Sequence, residues 1–205
     1  MIFEDRYDAA LHLIPLLEKY KQDDGVVLAV PRGGVPIGFL IAKHFQFPLE
    51  VLLTKKIGHP GSPELAIGAV SLEGELIENR YGVDDKYINQ QIKKIRTSLQ
   101  ERYTLFMGDR TPQDLKDKTV IIVDDGIATG NTILVAIKLI RTKYPRKIIV
   151  AVPVAPAITA GKILNEADDF ICVHISNEFF GVGQFYRDFS QVPDGEVIKY
   201  VMLRE

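Results

Sequence analysis

Two adjacent carboxylates, Asp124 and Asp125, stand between an apolar run and a loop rich in glycine and threonine. The run, residues 120–123, is typical of a buried strand in a parallel sheet. The loop, residues 126–132, leads into a helical pattern, and a helix N-terminus offers backbone N–H groups to a phosphate. Carboxylates repel a phosphate but accept hydrogen bonds from sugar hydroxyls. The pattern therefore predicts a ribose 5-phosphate site, with the phosphate on the loop and the ribose on the aspartates.

A second loop with phosphate-binding chemistry follows the first apolar strand. Arg32 stands there directly before Gly33 and Gly34. Adjacent glycines let the backbone approach a ligand closely, and the planar guanidinium fits phosphate oxygens. Alone, Arg-Gly-Gly would indicate an ordinary tight turn. Together with the aspartate motif, it predicts a binding site for a pyrophosphate.

A third polar segment, residues 55–61, follows the second apolar strand. It begins with Lys55 and Lys56 and contains a histidine and two glycines. This composition suits a mobile lid that closes over an anion. The alternative is a solvated turn with Glu64 as a surface residue just beyond it.

The composition indicates a soluble domain without a strongly charged partner surface. The chain has 205 residues and a formal net charge of −2, so we expect neither a nucleic-acid nor a membrane partner. The chain lacks a signal-peptide pattern and a run long enough to span a membrane, so we expect a cytoplasmic location. The single cysteine, Cys172, excludes an internal disulfide, and the four histidines show no metal-ligand spacing.

Alternating strands and helices predict one doubly wound α/β domain over residues 1–205, with a parallel sheet covered by helices on both faces. The predicted strands are 26–30, 49–54, 120–123, 147–153, 169–173 and a closing strand at 197–202. The predicted helices are 5–20, 35–45, 84–107, 133–140 and 157–165. Two accessory regions lie near the strand ends: 55–82, with a hairpin around Glu73-Gly74, and 176–195. The apolar face of the 84–107 helix fits either core burial or a homo-oligomer contact.

The motif around Asp124 resembles the binding motif for 5-phosphoribosyl 1-pyrophosphate (PRPP) in type I phosphoribosyltransferases. With the Pro31-Arg32-Gly33-Gly34 loop and the lysine segment ending at Glu64, the chain is most similar to a bacterial group of predicted phosphoribosyltransferases. The resemblance implies the type I fold, with a flexible loop or hairpin at 55–82 and a small hood at 176–195. It also implies a cis peptide bond between Pro31 and Arg32.

The resemblance implies that the phosphoribosyl group of PRPP passes to a nitrogen acceptor, a nucleobase or related ring, with Mg²⁺ held mainly by PRPP. The implied PRPP-binding residues are Asp124 and Asp125 for the ribose, Gly126, Ala128, Thr129, Gly130, Asn131 and Thr132 for the 5′-phosphate, and Arg32, Gly33 and Gly34 for the pyrophosphate. The implied catalytic cations are Arg32, Lys55, Lys56 and Arg187, and Phe179 or Phe180 would stack on the base.

Two departures leave the acceptor open. Purine enzymes of the family place a lysine after the strand equivalent to 148–152, and this chain has none there. They often place an aspartate as the candidate base where this chain has Ala128. A PRPP-binding sensor with little catalysis is therefore the alternative. The Walker A and Rossmann glycine patterns of other phosphate-binding proteins do not match.

Overall fold

The structure, a computed structural model, describes residues 1–203 and contains eight strands and six α-helices in that part of the chain. The strands are β1 Gly25–Ala29, β2 Leu49–Val51, β3 Thr54–His59, β4 Ser62–Ser71, β5 Glu75–Ile77, β6 Thr119–Val123, β7 Lys147–Pro156 and β8 Asp169–Ser176. The helices are α1 Arg6–Leu17, α2 Gly34–Phe45, α3 Asp85–Met107, α4 Asn131–Arg141, α5 Ala157–Leu164 and α6 Asp194–Met202.

Five strands form a parallel sheet in the order β2-β1-β6-β7-β8, and helices cover both of its faces. Successive side chains of a strand point to opposite faces. Val27 and Ile121 therefore join a core with α1, α2, α3 and α6, whereas Val26 and Ile122 join a second core with α4 and α5. The predicted doubly wound fold is confirmed.

The register of β1 and β6 brings the two predicted phosphate loops together. Ala29 lies opposite Val123 in this parallel pair, and the N–H of Val30 donates to the carbonyl oxygen of Val123 at 2.8 Å. The two strands thus end side by side. The residues after them, Pro31 on one strand and Asp124 on the other, emerge at the same edge of the sheet, where open α/β sheets bind ligands.

Residues 54–77 form a separate antiparallel sheet in the order β3-β4-β5. The predicted hairpin around Glu73-Gly74 is confirmed, whereas the predicted strand 49–54 is right at its start and wrong at its end. The parallel strand ends at Val51, and Thr54 already begins β3. Lys55 and Lys56 are neighbours in β3 and point to opposite faces, yet both are exposed, so the segment lacks the alternation that predicts a strand.

The predicted closing strand at 197–202 is also wrong, because these residues belong to α6. Val197 and Val201 are buried, and their spacing of four places both on one side of a helix. Pro193 precedes the first turn, where a proline is compatible with a helix start. The hood therefore ends in a helix that packs on α2 and α3.

Helix α3 is amphipathic, and its buried side includes Ile88, Ile92, Ile95 and Leu99. These residues belong to the core of the chain itself, which accounts for the apolar face without a partner subunit. Within residues 1–203, no helix combines the length and apolar character that a membrane span requires.

Candidate functional site

The two loops that follow β1 and β6 touch, and glycine is required at the contact. A Cβ atom on Gly33 would lie 1.9 Å from Oδ2 of Asp125. A Cβ atom on Gly34 would lie 2.6 Å from the carbonyl oxygen of Val123. The Pro31–Arg32 peptide bond is cis, as the resemblance implied. The pair of glycines therefore lets one loop lie directly against the carboxylates of the other.

The two aspartates form a partly buried acid pair. Oδ1 of Asp124 accepts the N–H of Asp125 at 2.9 Å. Burial and the neighbouring charge of Asp125 raise the pKa of Asp124 well above its usual range. Burial also raises the pKa of Asp125, although a guanidinium beside it opposes that shift. Two acids this close do not both ionise readily, so one of them tends to hold a proton.

The guanidinium belongs to Arg6, a site residue that the sequence did not reveal. Its Nε and Nη2 donate to Oδ2 of Asp125 at 3.0 and 2.7 Å. Its Nη1 donates to the carbonyl oxygen of Ser190 at 2.8 Å, and its Cζ lies 4.3 Å from the centre of the Phe189 ring. Arg6 lies 119 residues before Asp125, near the start of the first predicted helix. No local sequence motif therefore links the two residues.

The hood lies against the same acid pair. The hydroxyl of Tyr186 donates to the backbone carbonyl oxygen of Asp125 at 2.6 Å. Burial and the charge of Asp125 raise the pKa of this phenol, which keeps it neutral. A Cβ atom on Gly126 would lie 2.5 Å from Val182, in the short 3₁₀ helix of the hood. The hood therefore covers the start of the phosphate loop.

The phosphate loop is anchored from its inner side. The N–H of Ile127 donates to the carbonyl oxygen of Val154 at 2.9 Å, and the hydroxyl of Thr159 donates to that of Ala128 at 2.7 Å. Gly130 takes a positive φ of 76° directly before α4. Thr129, like the first two residues of α4, is exposed. The first turn of a helix has N–H groups without partners in the helix, so this loop can receive an anion.

The structure brings the predicted lysines to the phosphate loop. Lys55 and Lys56 line a cleft of about 580 Å³ that Glu64, Asn131 and Thr132 also line. The cleft thus joins the β3-β4 hairpin to the first turn of α4. A cation on the hairpin can therefore face an anion held at the helix N-terminus.

Three of the four predicted cations are paired with acids in this conformation. The pairs are Arg32–Asp194 at 3.5 Å, Lys56–Glu64 at 2.8 Å and Arg187–Glu4 at 3.1 Å. Glu64, which the sequence left between a functional and a surface role, is thus the partner of Lys56, and that contact lowers its pKa. The structure does not bring Arg187 to the acid pair, since its side chain is 70% exposed beside Glu4. Exposed ion pairs contribute only about 0–1 kcal/mol, so such cations can exchange partners at low cost.

The two candidate stacking residues differ in environment. Phe180 is 95% exposed, whereas Phe179 is partly buried and packs on Phe185 with ring centroids 5.4 Å apart. A planar ligand can stack only on an accessible ring face. In this conformation, Phe180 is the accessible ring and Phe179 supports the hood.

The model of the phosphoribosyl transferase domain family matches residues 12–189. The chain belongs to this family. A proposed phosphoribosyl transferase of Mycobacterium tuberculosis, found in strains CDC 1551 and H37Rv, is 37% identical over an alignment of 205 positions that covers 98% of this chain. The chain spans about half, 46%, of the length of these curated relatives.

Solved structures share the fold of this phosphoribosyl transferase domain. The protein TT1426 from Thermus thermophilus matches with a TM-score of 0.90 and 30% identity, over 99% of both chains. A purine phosphoribosyltransferase from Pyrococcus horikoshii matches with a TM-score of 0.50 and 19% identity, over 92% of both chains. At that identity, the second match shows a common fold and nothing about the substrate of this chain.

The acid pair predicts opposite stability effects for its two members. Below the ordinary carboxyl pKa of 3.8, Asp124 is protonated in the folded and the unfolded chain. As the pH rises, the unfolded chain loses this proton first, so the raised pKa lowers stability at neutral pH. Asp124→Asn removes this penalty, and we expect it to raise Tm by about 3 °C or more at pH 7.5 and to lose that advantage near pH 4.

Asp125→Asn is the matched comparison, because it leaves the Arg6 guanidinium without a charged partner. Breaking a buried ion pair from one side is strongly destabilising, so we expect a lower Tm at pH 7.5. Thermal unfolding of both variants and the wild type at the two pH values measures the effect. A lower Tm for Asp124→Asn than for the wild type at pH 7.5 would show that the Asp124 carboxylate does not destabilise the fold at that pH, and would contradict this prediction.

The contact at Gly33 predicts that Gly33→Ala displaces the Asp125 carboxylate and weakens its pair with Arg6. We expect Tm to fall by several degrees, corresponding to about 1–3 kcal/mol for a forced overpacking. Gly161→Ala is the control, since its Cβ in helix α5 would meet nothing within 4 Å. The control should be neutral or stabilising. Equal Tm values for the two variants would refute the proposed contact.

Proposed function

We propose that this domain binds PRPP and transfers its 5-phosphoribosyl group to a nitrogen acceptor, with release of pyrophosphate. One observation carries the proposal: Asp124 and Asp125 lie between two backbone loops, each suited to an anion. Family membership supports phosphoribosyl chemistry in general. The chemistry of the residues supports the proposal, because sugar hydroxyls suit the acids and phosphates suit the loops.

In this proposal, the 5′-phosphate lies on the 126–132 loop and the first turn of α4. The ribose hydroxyls bond to the acid pair, and the pyrophosphate lies on the Arg32-Gly33-Gly34 loop. The reaction breaks the bond between the anomeric carbon and pyrophosphate, and forms a bond from that carbon to the acceptor nitrogen. Negative charge builds on the leaving pyrophosphate, so positioning and neutralisation by cations supply most of the rate enhancement.

The proposed cations are Arg32, Lys55 and Lys56. Lys56 and Arg32 would exchange Glu64 and Asp194 for the pyrophosphate, whose higher charge makes it the stronger partner. Lys55 is exposed on the same hairpin. To act as a further cation for the pyrophosphate, Arg187 would have to break its ion pair with Glu4.

A magnesium ion fits this site only as a partner of the substrate. Residues 1–203 contain no cluster of three or more His, Cys, Asp or Glu side chains that could hold a metal ion. Mg²⁺ prefers oxygen ligands and retains waters, so PRPP oxygens and waters would supply most of its ligands. When bound, the ion would help to neutralise the leaving pyrophosphate.

The acceptor side of the site favours a nucleophile that needs little activation. Ala128 places a methyl group where a carboxylate base would stand in many purine enzymes of the family. An acceptor whose ring nitrogen is already anionic or acidic would not require that base. Phe180, the more exposed of the two candidate stacking residues, would stack on such a ring.

The missing base also favours a second candidate function, a PRPP sensor that binds without relevant turnover. The decisive experiment incubates the protein with PRPP, Mg²⁺ and a panel of nucleobases, and follows pyrophosphate release. Calorimetry measures PRPP binding in parallel. The Asp124→Asn/Asp125→Asn double variant, with its fold checked by circular dichroism, gives the background.

We expect pyrophosphate release with at least one acceptor, and loss of both PRPP binding and turnover in the double variant. PRPP binding without turnover on any acceptor would favour the sensor. A wild-type protein that does not bind PRPP with Mg²⁺ would refute both functions.

A further inference from the structure

The N-terminal segment and the hood form one structural unit beside the acid pair. Phe3 is fully buried, and its N–H donates to the carbonyl oxygen of Phe185 at 2.7 Å. In return, the N–H of Arg187 donates to the carbonyl oxygen of Phe3 at 2.8 Å, and that of Asp188 to the carbonyl oxygen of Glu4 at 2.9 Å. These hydrogen bonds fix the chain directly before Arg6.

Arg6 is held rigidly where this segment enters α1. Asp5 caps the helix, since its side chain accepts the N–H of Asp8 at 2.8 Å. The Arg6 side chain is only 12% exposed, and its partner Asp125 is 14% exposed. Its donors reach Asp125 and Ser190, while its plane lies against Phe189. One guanidinium thus connects the N-terminal segment, the hood and the acid pair.

We propose that Arg6 is a positioning residue of the ribose site, which fixes Asp125 as the charged member of the acid pair and couples it to the hood. This inference rests on the proposed function. The two Arg6 donors that reach Asp125 both engage Oδ2, and in this proposal Oδ1 accepts a ribose hydroxyl. Asp124, whose charge the neighbouring carboxylate disfavours, supplies the second polar group. The two acids thereby differ in role although they are neighbours in sequence.

The charged and titratable groups around Asp125 support this division. The charge of Asp125 disfavours a charge on Asp124 in the same loop, whereas the hydrogen bond with Asp124 lowers the pKa of Asp125. Tyr186 approaches from the hood as a neutral phenol. Arg6 supplies the positive charge, through its ion pair with Asp125 at 2.7 Å. Loss of Arg6 would let Asp125 take up a proton more readily, because burial alone raises its pKa.

The test compares Arg6→Met, Arg6→Lys and the wild type in PRPP binding with Mg²⁺, by calorimetry from pH 5.5 to 8.5. Arg141→Met is the control, since Arg141 also pairs with an aspartate, Asp168, at 2.7 Å but on the surface. We expect Arg6→Met to weaken binding at least about tenfold at pH 7, about 1.4 kcal/mol. As the pH is lowered, Arg6→Met should lose PRPP binding at a higher pH than the wild type does. Without Arg6, the pKa of Asp125 is higher, so Asp125 takes up its proton at a higher pH.

Arg6→Lys keeps the charge but not the planar fork, so its affinity should be intermediate and its pH profile close to that of the wild type. This variant keeps the test valid if Arg6→Met does not fold. The control should match the wild type in affinity and pH profile. A purely structural role would lower Tm in the folded variants without shifting the pH profile, and that result would overturn the inference. If the wild type itself does not bind PRPP, the proposed function fails and this inference fails with it.

Discussion

The structure depends on placing two carboxyl groups, Asp124 and Asp125, at a largely buried strand end. Burial and mutual repulsion make this pair unfavourable in its ionised form. Three neighbouring residues accommodate the acid pair. Gly33 leaves room for the Asp125 carboxylate, Arg6 supplies a compensating charge, and the Tyr186 hydroxyl bonds to the backbone behind it. Retaining such strain at a sheet edge is typical of a site where ligands bind.

The parallel register of β1 and β6 makes this arrangement possible, and the sequence predicted the two strands but not their pairing. The continuous apolar runs before Arg32 and Asp124 indicated buried parallel strands, and parallel strands end at one edge. The sequence thus predicted a loop at the end of each strand, and the pairing of β1 with β6 brings the two loops into contact. The cis peptide bond before Arg32 followed from the resemblance alone.

The sequence failed where distant segments determine local structure. The spacing of Val197 and Val201 is compatible with a strand or a helix over so short a span. In the structure these residues form a helix that packs on α2 and α3. Lys55 and Lys56 resembled loop residues because both are exposed, in a small antiparallel sheet that is separate from the parallel one. The role of Arg6 could not be predicted from the sequence for a related reason. Its role arises from hydrogen bonds between the N-terminal segment and the hood, and no local pattern encodes a contact across 119 residues.

The central claim is that the acid pair binds ribose hydroxyls while the 126–132 loop holds the 5′-phosphate. A crystal structure of this protein soaked with PRPP and Mg²⁺ tests it most directly. The account predicts the 5′-phosphate on the backbone N–H groups of the loop and of the first turn of α4, with both ribose hydroxyls within hydrogen-bonding distance of Asp124 and Asp125. A bound PRPP whose ribose does not contact either aspartate, or whose 5′-phosphate lies away from the loop, would contradict the claim.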